Sequence, residues 1–113
     1  KLNKEIYPFF MCLNESRHYE LNKQMERSAG SIMDNIAEGF ERNGTREFIQ
    51  FLSVSKGSAG ELRSQLYRAF DRELILEAQF KKFHKDCISI GNQLGSFMNY
   101  LNASNVKGRK FSK

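Results

Sequence analysis

Between Arg46 and Arg72, apolar and small side chains return every three or four positions, at Phe48, Leu52, Ser55, Ala59, Leu62, Leu66 and Phe70, with no proline to interrupt them. A stripe of that period is one face of an α-helix, here about 40 Å long at 1.5 Å per residue. A chain of 113 residues that commits so much to one helix must cover its stripe with others laid alongside. Three further segments carry the same period. In the first, Leu2, Ile6, Phe9 and Leu13 recur, and Pro8, which lacks a backbone N–H, is expected to kink or start the helix. After the loop "NESRHYEL", Asn22 is placed to cap a second helix that buries Met25, Ala29, Ile32, Ile36 and Phe40. "RNGT" ends it, with Asn43-Gly44 read as a left-handed turn and Thr45 as the next cap. The fourth helix, from about Ala78 to Ala103, turns Phe80, Phe83, Cys87, Ile90, Leu94, Phe97 and Leu101 inward, and Lys82, Lys85, Ser89, Gln93 and Ser96 to water. Short connections between long helices make antiparallel neighbours, so residues 1–106 are expected to form an all-α, antiparallel up-and-down four-helix bundle.

The third helix has a second face that needs explaining. At 100° per residue, Ser53, Gly57, Gly60 and Ser64 form a narrow band opposite its core stripe. Each interior glycine costs about 1 kcal/mol against alanine. A solvated face would carry Lys and Glu, whereas small side chains let another backbone approach closely. The band is therefore read as an interface between copies of the chain.

Charge is unevenly placed. The chain has 18 basic and 13 acidic residues, a net charge of +5. The last seven residues, "KGRKFSK", hold Lys107, Arg109, Lys110 and Lys113 and no acid; those four taken from 18 leave 14 basic against 13 acidic side chains in the body. Residues 107–113 are expected to be a disordered basic tail that points weakly to polyanions. No apolar run approaches a membrane span. Cys12 and Cys87 both lie among apolar neighbours, which suits reduced core thiols and a cytoplasmic protein.

The sequence holds no complete catalytic or metal-binding constellation. Glu15-Ser-Arg-His18 is a single Glu-x-x-His, where a di-iron bundle needs two and two more glutamates. His84 and Cys87 share a face but have no second ligand pair at zinc spacing, and His84 reads as a peripheral core residue. Asp34 and Glu38 are a like-charged pair on the outer face of the second helix. No enzyme activity and no cofactor are expected.

Three motifs carry a resemblance: "SIMDNIAEG" at Ser31 to Gly39, with Asn35, Glu38 and Gly39; "EFIQFL" at Glu47 to Leu52; and "GSAGELRSQL" at Gly57 to Leu66, with Glu61. The chain resembles the four-helix-bundle proteins encoded in intervening sequences of bacterial large-subunit ribosomal RNA genes, a family that includes the accessory variability proteins of diversity-generating retroelements. A weaker match through "EAQF" extends to nearly the whole chain. The resemblance implies a four-helix bundle, often a ring of five, and no catalysis. In the retroelement branch it implies a basic surface that binds nucleic acid and a reverse transcriptase. This chain departs from the pattern at "QMERSAGS", where Glu26 replaces one of a basic pair and Arg27 keeps the other. It departs again before the fourth helix, where Glu73 and Leu76 stand in place of Gly and a Ser-type cap, so this corner is expected to be less well capped.

Two functions follow. One is a homo-oligomeric, nucleic-acid-associated accessory protein, most simply a pentamer, in which Lys23, Arg27, Arg42, Arg46, Lys56, Arg63 and Arg68, with Lys107, Arg109 and Lys110 of the tail, contact RNA or DNA phosphates without reading sequence. The other is a homo-oligomeric scaffold for another protein, with no nucleic-acid role.

Overall fold

A computed structural model describes residues 1–111, with side chains to Ser104. It contains four helices, α1 (Leu2–Glu15), α2 (Tyr19–Phe40), α3 (Thr45–Asp71) and α4 (Glu77–Phe111), and no strand among the described residues. α3 packs along both α2 and α4, while α1 lies against α2 and, over a shorter stretch, α4. The pairs α1/α3 and α2/α4 therefore sit across the diagonals, as in an up-and-down bundle. Because α1 is only 14 residues long against 27 for α3, it covers one end of the bundle and leaves the rest three helices deep. The molecule measures 60 × 22 × 19 Å.

The core follows the periodicity. Leu2, Ile6, Phe9, Phe10 and Leu13 of α1 close over Met25, Ala29 and Ile32 of α2, Ala59, Leu62, Leu66 and Ala69 of α3, and Phe80, Phe83 and Cys87 of α4. The α2–α3 seam also carries polar pins. Ser55 Oγ donates to the Ile32 carbonyl at 2.8 Å, Ser58 Oγ donates to Ser31 Oγ at 2.8 Å, and Asn35 Nδ2 donates to Ser31 Oγ at 2.9 Å. The first two fix the register of α3 against α2, which apolar contact alone would let slide, and the third, within α2, holds Ser31 Oγ in place.

Both Schellman-type helix ends use a non-glycine residue. After α1, the Arg17 and His18 N–H groups bond the Asn14 and Leu13 carbonyls, with Arg17 at φ 63°. After α3, Glu73 and Leu74 do the same to Phe70 and Ala69, with Glu73 at φ 58°. The corner before α4 is thus strained where glycine was missed, but it is not uncapped. Gln79 Oε1, in the first turn of α4, accepts from the Leu76 N–H at 3.2 Å, which is half of a capping box.

Several expectations are corrected. Asn22 is not a cap: α2 begins a turn earlier, after His18, and Asn22 is buried at 6% exposure. Gly44 is extended at φ −173° and itself precedes α3, so there is no left-handed turn at Asn43-Gly44 and no cap by Thr45. α1 begins at Leu2 and runs through Pro8, so Pro8 does not start it. Phe40, Phe70 and Phe97 continue their stripes but are 73%, 36% and 40% exposed; Phe40 and Phe97 lie beyond the reach of α1, whereas Phe70 stacks on Phe80 at the bundle's margin, with ring centroids 4.5 Å apart. Cys12 is exposed, and only Cys87 is a core thiol. α4 runs past Ala103 to Phe111; the side chains of Lys107, Arg109, Lys110 and Lys113 lie outside those described.

Candidate nucleic-acid interface

The cations singled out from sequence separate by neighbourhood. Arg42 is engaged: its guanidinium meets Glu38 Oε1 at 2.6 Å and lies 5.1 Å from the Phe51 ring centroid. Arg68 reaches across to α2 and donates to Gln24 Oε1. Lys23 and Arg27 are exposed one turn apart on α2, and Arg46 is exposed in the first turn of α3. Lys56 and Arg63 are seven residues apart, hence on nearly the same line of α3, and that line faces α4. Among the described residues, Lys23, Arg27, Arg46, Lys56 and Arg63 have no carboxylate within ion-pair distance.

Lys56 and Arg63 share a groove of about 140 Å³ between α3 and α4, with Ala59, Gly60, Cys87, Ile88, Gly91 and Asn92. The groove's α4 wall was missed at the sequence level. Its only signal is the pair of glycines in "GNQLG", Gly91 and Gly95, one turn apart on one helix face. At its base, burial followed by the nearby Asp86 pushes the Cys87 thiol up to about 12, with Arg63 pulling the other way.

The band Ser53, Gly57, Gly60 and Ser64 is exposed along its length. A Cβ built at Gly57 or Gly60 would meet nothing within 4 Å, so no helix of the same chain uses the space those glycines leave. Gly39 behaves oppositely, since a Cβ there would stand 2.7 Å from Phe51 Cβ and 2.9 Å from Phe48 Cδ1. Of the motif residues, then, Gly39 serves the α2–α3 crossing, Asn35 the polar seam, and Glu38 the pairing of Arg42; Glu61 is exposed.

A second, apolar groove of about 400 Å³ opens between α2 and α4 beyond the start of α1. Ile32, Met33, Ile36, Leu52, Leu94 and Phe97 line most of it, and Met33 is 57% exposed. Periodicity could not reveal it, because these are ordinary core positions left bare by a short α1. Near the other end, Tyr67 meets Phe80 and His84 edge to face while the Phe80 and His84 rings are tilted at 34°, all centroids 5.0–5.3 Å apart, which places His84 at the core margin as expected. No cluster of three or more His, Cys, Asp or Glu side chains that could hold a metal occurs among the described residues, and no described helix is long and apolar enough to cross a membrane.

Comparison with known proteins agrees with this architecture. A solved structure from Bacteroides thetaiotaomicron, a protein of unknown function from the S23 ribosomal protein family, superposes with a TM-score of 0.82 at 26% identity, covering 86% of this chain and 91% of that one. A search of curated proteins finds no match. The model of one family spans residues 1–96, taking in all of α1, α2 and α3 and most of α4. On that match the chain belongs to the 23S rRNA-intervening sequence protein family.

Proposed function

We propose that this protein is a non-enzymatic, homo-oligomeric accessory protein that associates with nucleic acid through phosphate contacts and does not read base sequence. The observation that carries the reading is a set of exposed cations, Lys23, Arg27, Arg46, Lys56 and Arg63, without acidic partners among the described residues. Charges left unpaired are available to displace counterions from a polyanion. From Cys87 to Lys113 the sequence has no acidic residue at all, so the far half of α4 offers no repulsion to phosphate. Family membership points the same way, toward a ribosomal RNA context. Assembly into a ring, a pentamer by the family resemblance, would repeat these modest charges around an axis, with Ser53, Gly57, Gly60 and Ser64 at the subunit contact.

Fluorescence anisotropy with labelled single-stranded RNA and DNA across a salt series tests this. The reading expects binding to both, with log K falling by about 0.7 per phosphate contact for each tenfold rise in salt. Absence of binding at low salt overturns it. The apolar α2–α4 groove favours a second reading, a homo-oligomeric scaffold for another protein with no nucleic-acid role.

A further inference from the structure

The groove between α3 and α4 has a composition that neither core packing nor a solvated surface requires. Lys56 and Arg63 stand two turns apart on α3, about 10 Å along its axis. Between them the walls are stripped of side chains at Gly60 and Gly91, where a Cβ would meet nothing within 4 Å. Lys56 is exposed but leans onto α4: its Nζ lies 3.4 Å from where a Cβ at Gly95 would be, beside the groove. Neither cation is neutralised by a carboxylate among the described residues. The nearest acid along α4, Asp86, is engaged by Lys82, which also holds Glu5 of α1. Asn92 adds an amide that can donate.

We infer that this groove, bounded by Lys56 and Arg63 and flanked by Asn92, seats one phosphate group of a nucleic-acid backbone. The inference rests on the nucleic-acid reading above and gives it a location. A groove of about 140 Å³ has room for a tetrahedral anion, well above the roughly 10–15 Å³ that a single water needs. Arginine, lysine and asparagine are phosphate-contacting side chains. In a recess, an anion exchanges part of its water for these donors and is held more firmly than on an open face. Gly91 gains a purpose within the single chain, since any larger residue there would fill the space the phosphate needs.

The full chain, ¹⁵N-labelled, is titrated with inorganic phosphate and separately with a short single-stranded RNA of mixed sequence. Both should move the Gly60 and Gly91 amide signals and the Asn92 side-chain amide. Gly91→Leu, which fills the groove without altering charge, and Lys56→Gln with Arg63→Gln should each weaken RNA binding about tenfold. The double variant should also lower the salt slope by about 0.7, one phosphate's share. RNA binding that persists at wild-type strength in Gly91→Leu overturns the site and leaves the nucleic-acid function standing. Shifts with phosphate but no RNA binding keep the groove as a site for free phosphate and overturn both the backbone as its source and the function reading. No shift at these positions with either ligand overturns the site.

Discussion

A Cβ added to Gly39 would stand 2.7 Å from the Cβ of Phe51, closer than two such atoms approach in folded proteins. The contact falls where α2 and α3 cross, and Phe51 Cβ is fixed to its backbone, so it cannot swing away as the Phe48 ring could. The helices must part or the new methyl must strain. Overpacking of this kind costs about 1–3 kcal/mol, against a helix-propensity gain of just under about 1 kcal/mol. Gly39→Ala should therefore lose up to about 2 kcal/mol of stability in urea unfolding. A variant as stable as the parent would show that the crossing is looser than the geometry describes.

Glu73 sits at φ 58° in the turn that closes α3, a conformation that costs a side-chain-bearing residue about 1–2 kcal/mol. Glycine adopts it freely but gives back part of the gain as unfolded-state entropy. Glu73→Gly should stabilise the fold by about 0.5–1 kcal/mol, raising Tm by about 3–6 °C. A lower Tm would mean that the Glu73 side chain makes a compensating contact.

The two cysteines should separate in a thiol-labelling experiment at pH 8. Cys12 is exposed, whereas Cys87 is buried and its thiol is pushed up to about 12. Because only the thiolate reacts, Cys12 should label at once and Cys87 only through opening of the bundle, speeding up with denaturant. The raised value also stabilises the fold below the ordinary thiol range. That contribution is lost as pH rises from there toward 12. Prompt labelling of both thiols in native buffer would contradict the burial.

Glu5 and Lys82 join α1 to α4 at 2.8 Å. The hydrogen bond from Lys82 holds the Glu5 carboxyl below its ordinary value, and the bonds to Glu5 and then Asp86 hold Lys82 above its own. The lowered carboxyl stabilises the fold above the ordinary glutamate value, and this is lost as pH falls through the lowered one. The raised ammonium stabilises below the ordinary lysine value, and this is lost as pH rises through the raised one. In Lys82→Met, the Glu5 carboxyl signal followed by NMR should titrate at higher pH than in the parent. An unchanged midpoint would show that the pair does not form in solution.

Much of the architecture was legible because a 3.6-residue period fixes which face of each helix turns inward. Leu52, Leu62 and Leu66 are buried to within 1% of full burial, as their spacing required. The period does not say how far along a helix its partner reaches. Phe40 and Phe97 have the same register as buried neighbours, yet they stand beyond the span of α1 and are left exposed. Helix ends were misread for a related reason. Arg17 takes a left-handed turn that sequence signals reserve for glycine, and the hydrogen bonds of the Schellman turn, not residue preference, hold it there. At the candidate interface, the cations could be found by residue type. That Arg42 is occupied by Glu38 while Lys56 and Arg63 share a groove with Gly91 depends on the register between helices, which no single segment encodes.

The exposed glycines of α3 permit the sharpest test of assembly. Among the described residues, no other helix comes within 4 Å of a Cβ at Gly57, so in an isolated bundle Gly57→Leu should be stabilising, as leucine is the better helix former by most of about 1 kcal/mol. If Ser53, Gly57, Gly60 and Ser64 instead lie against another copy, the leucine would hold two backbones apart and cost the assembly more than it gives the monomer. The two situations predict opposite signs. The proposed homo-oligomer expects Gly57→Leu to shift the light-scattering mass toward smaller species at micromolar concentration, with far-ultraviolet helicity unchanged. A variant that keeps the parent mass and melts higher would show that this band faces only water, and the subunit contact would then have to be sought at the apolar groove of Ile32, Met33, Ile36 and Phe97.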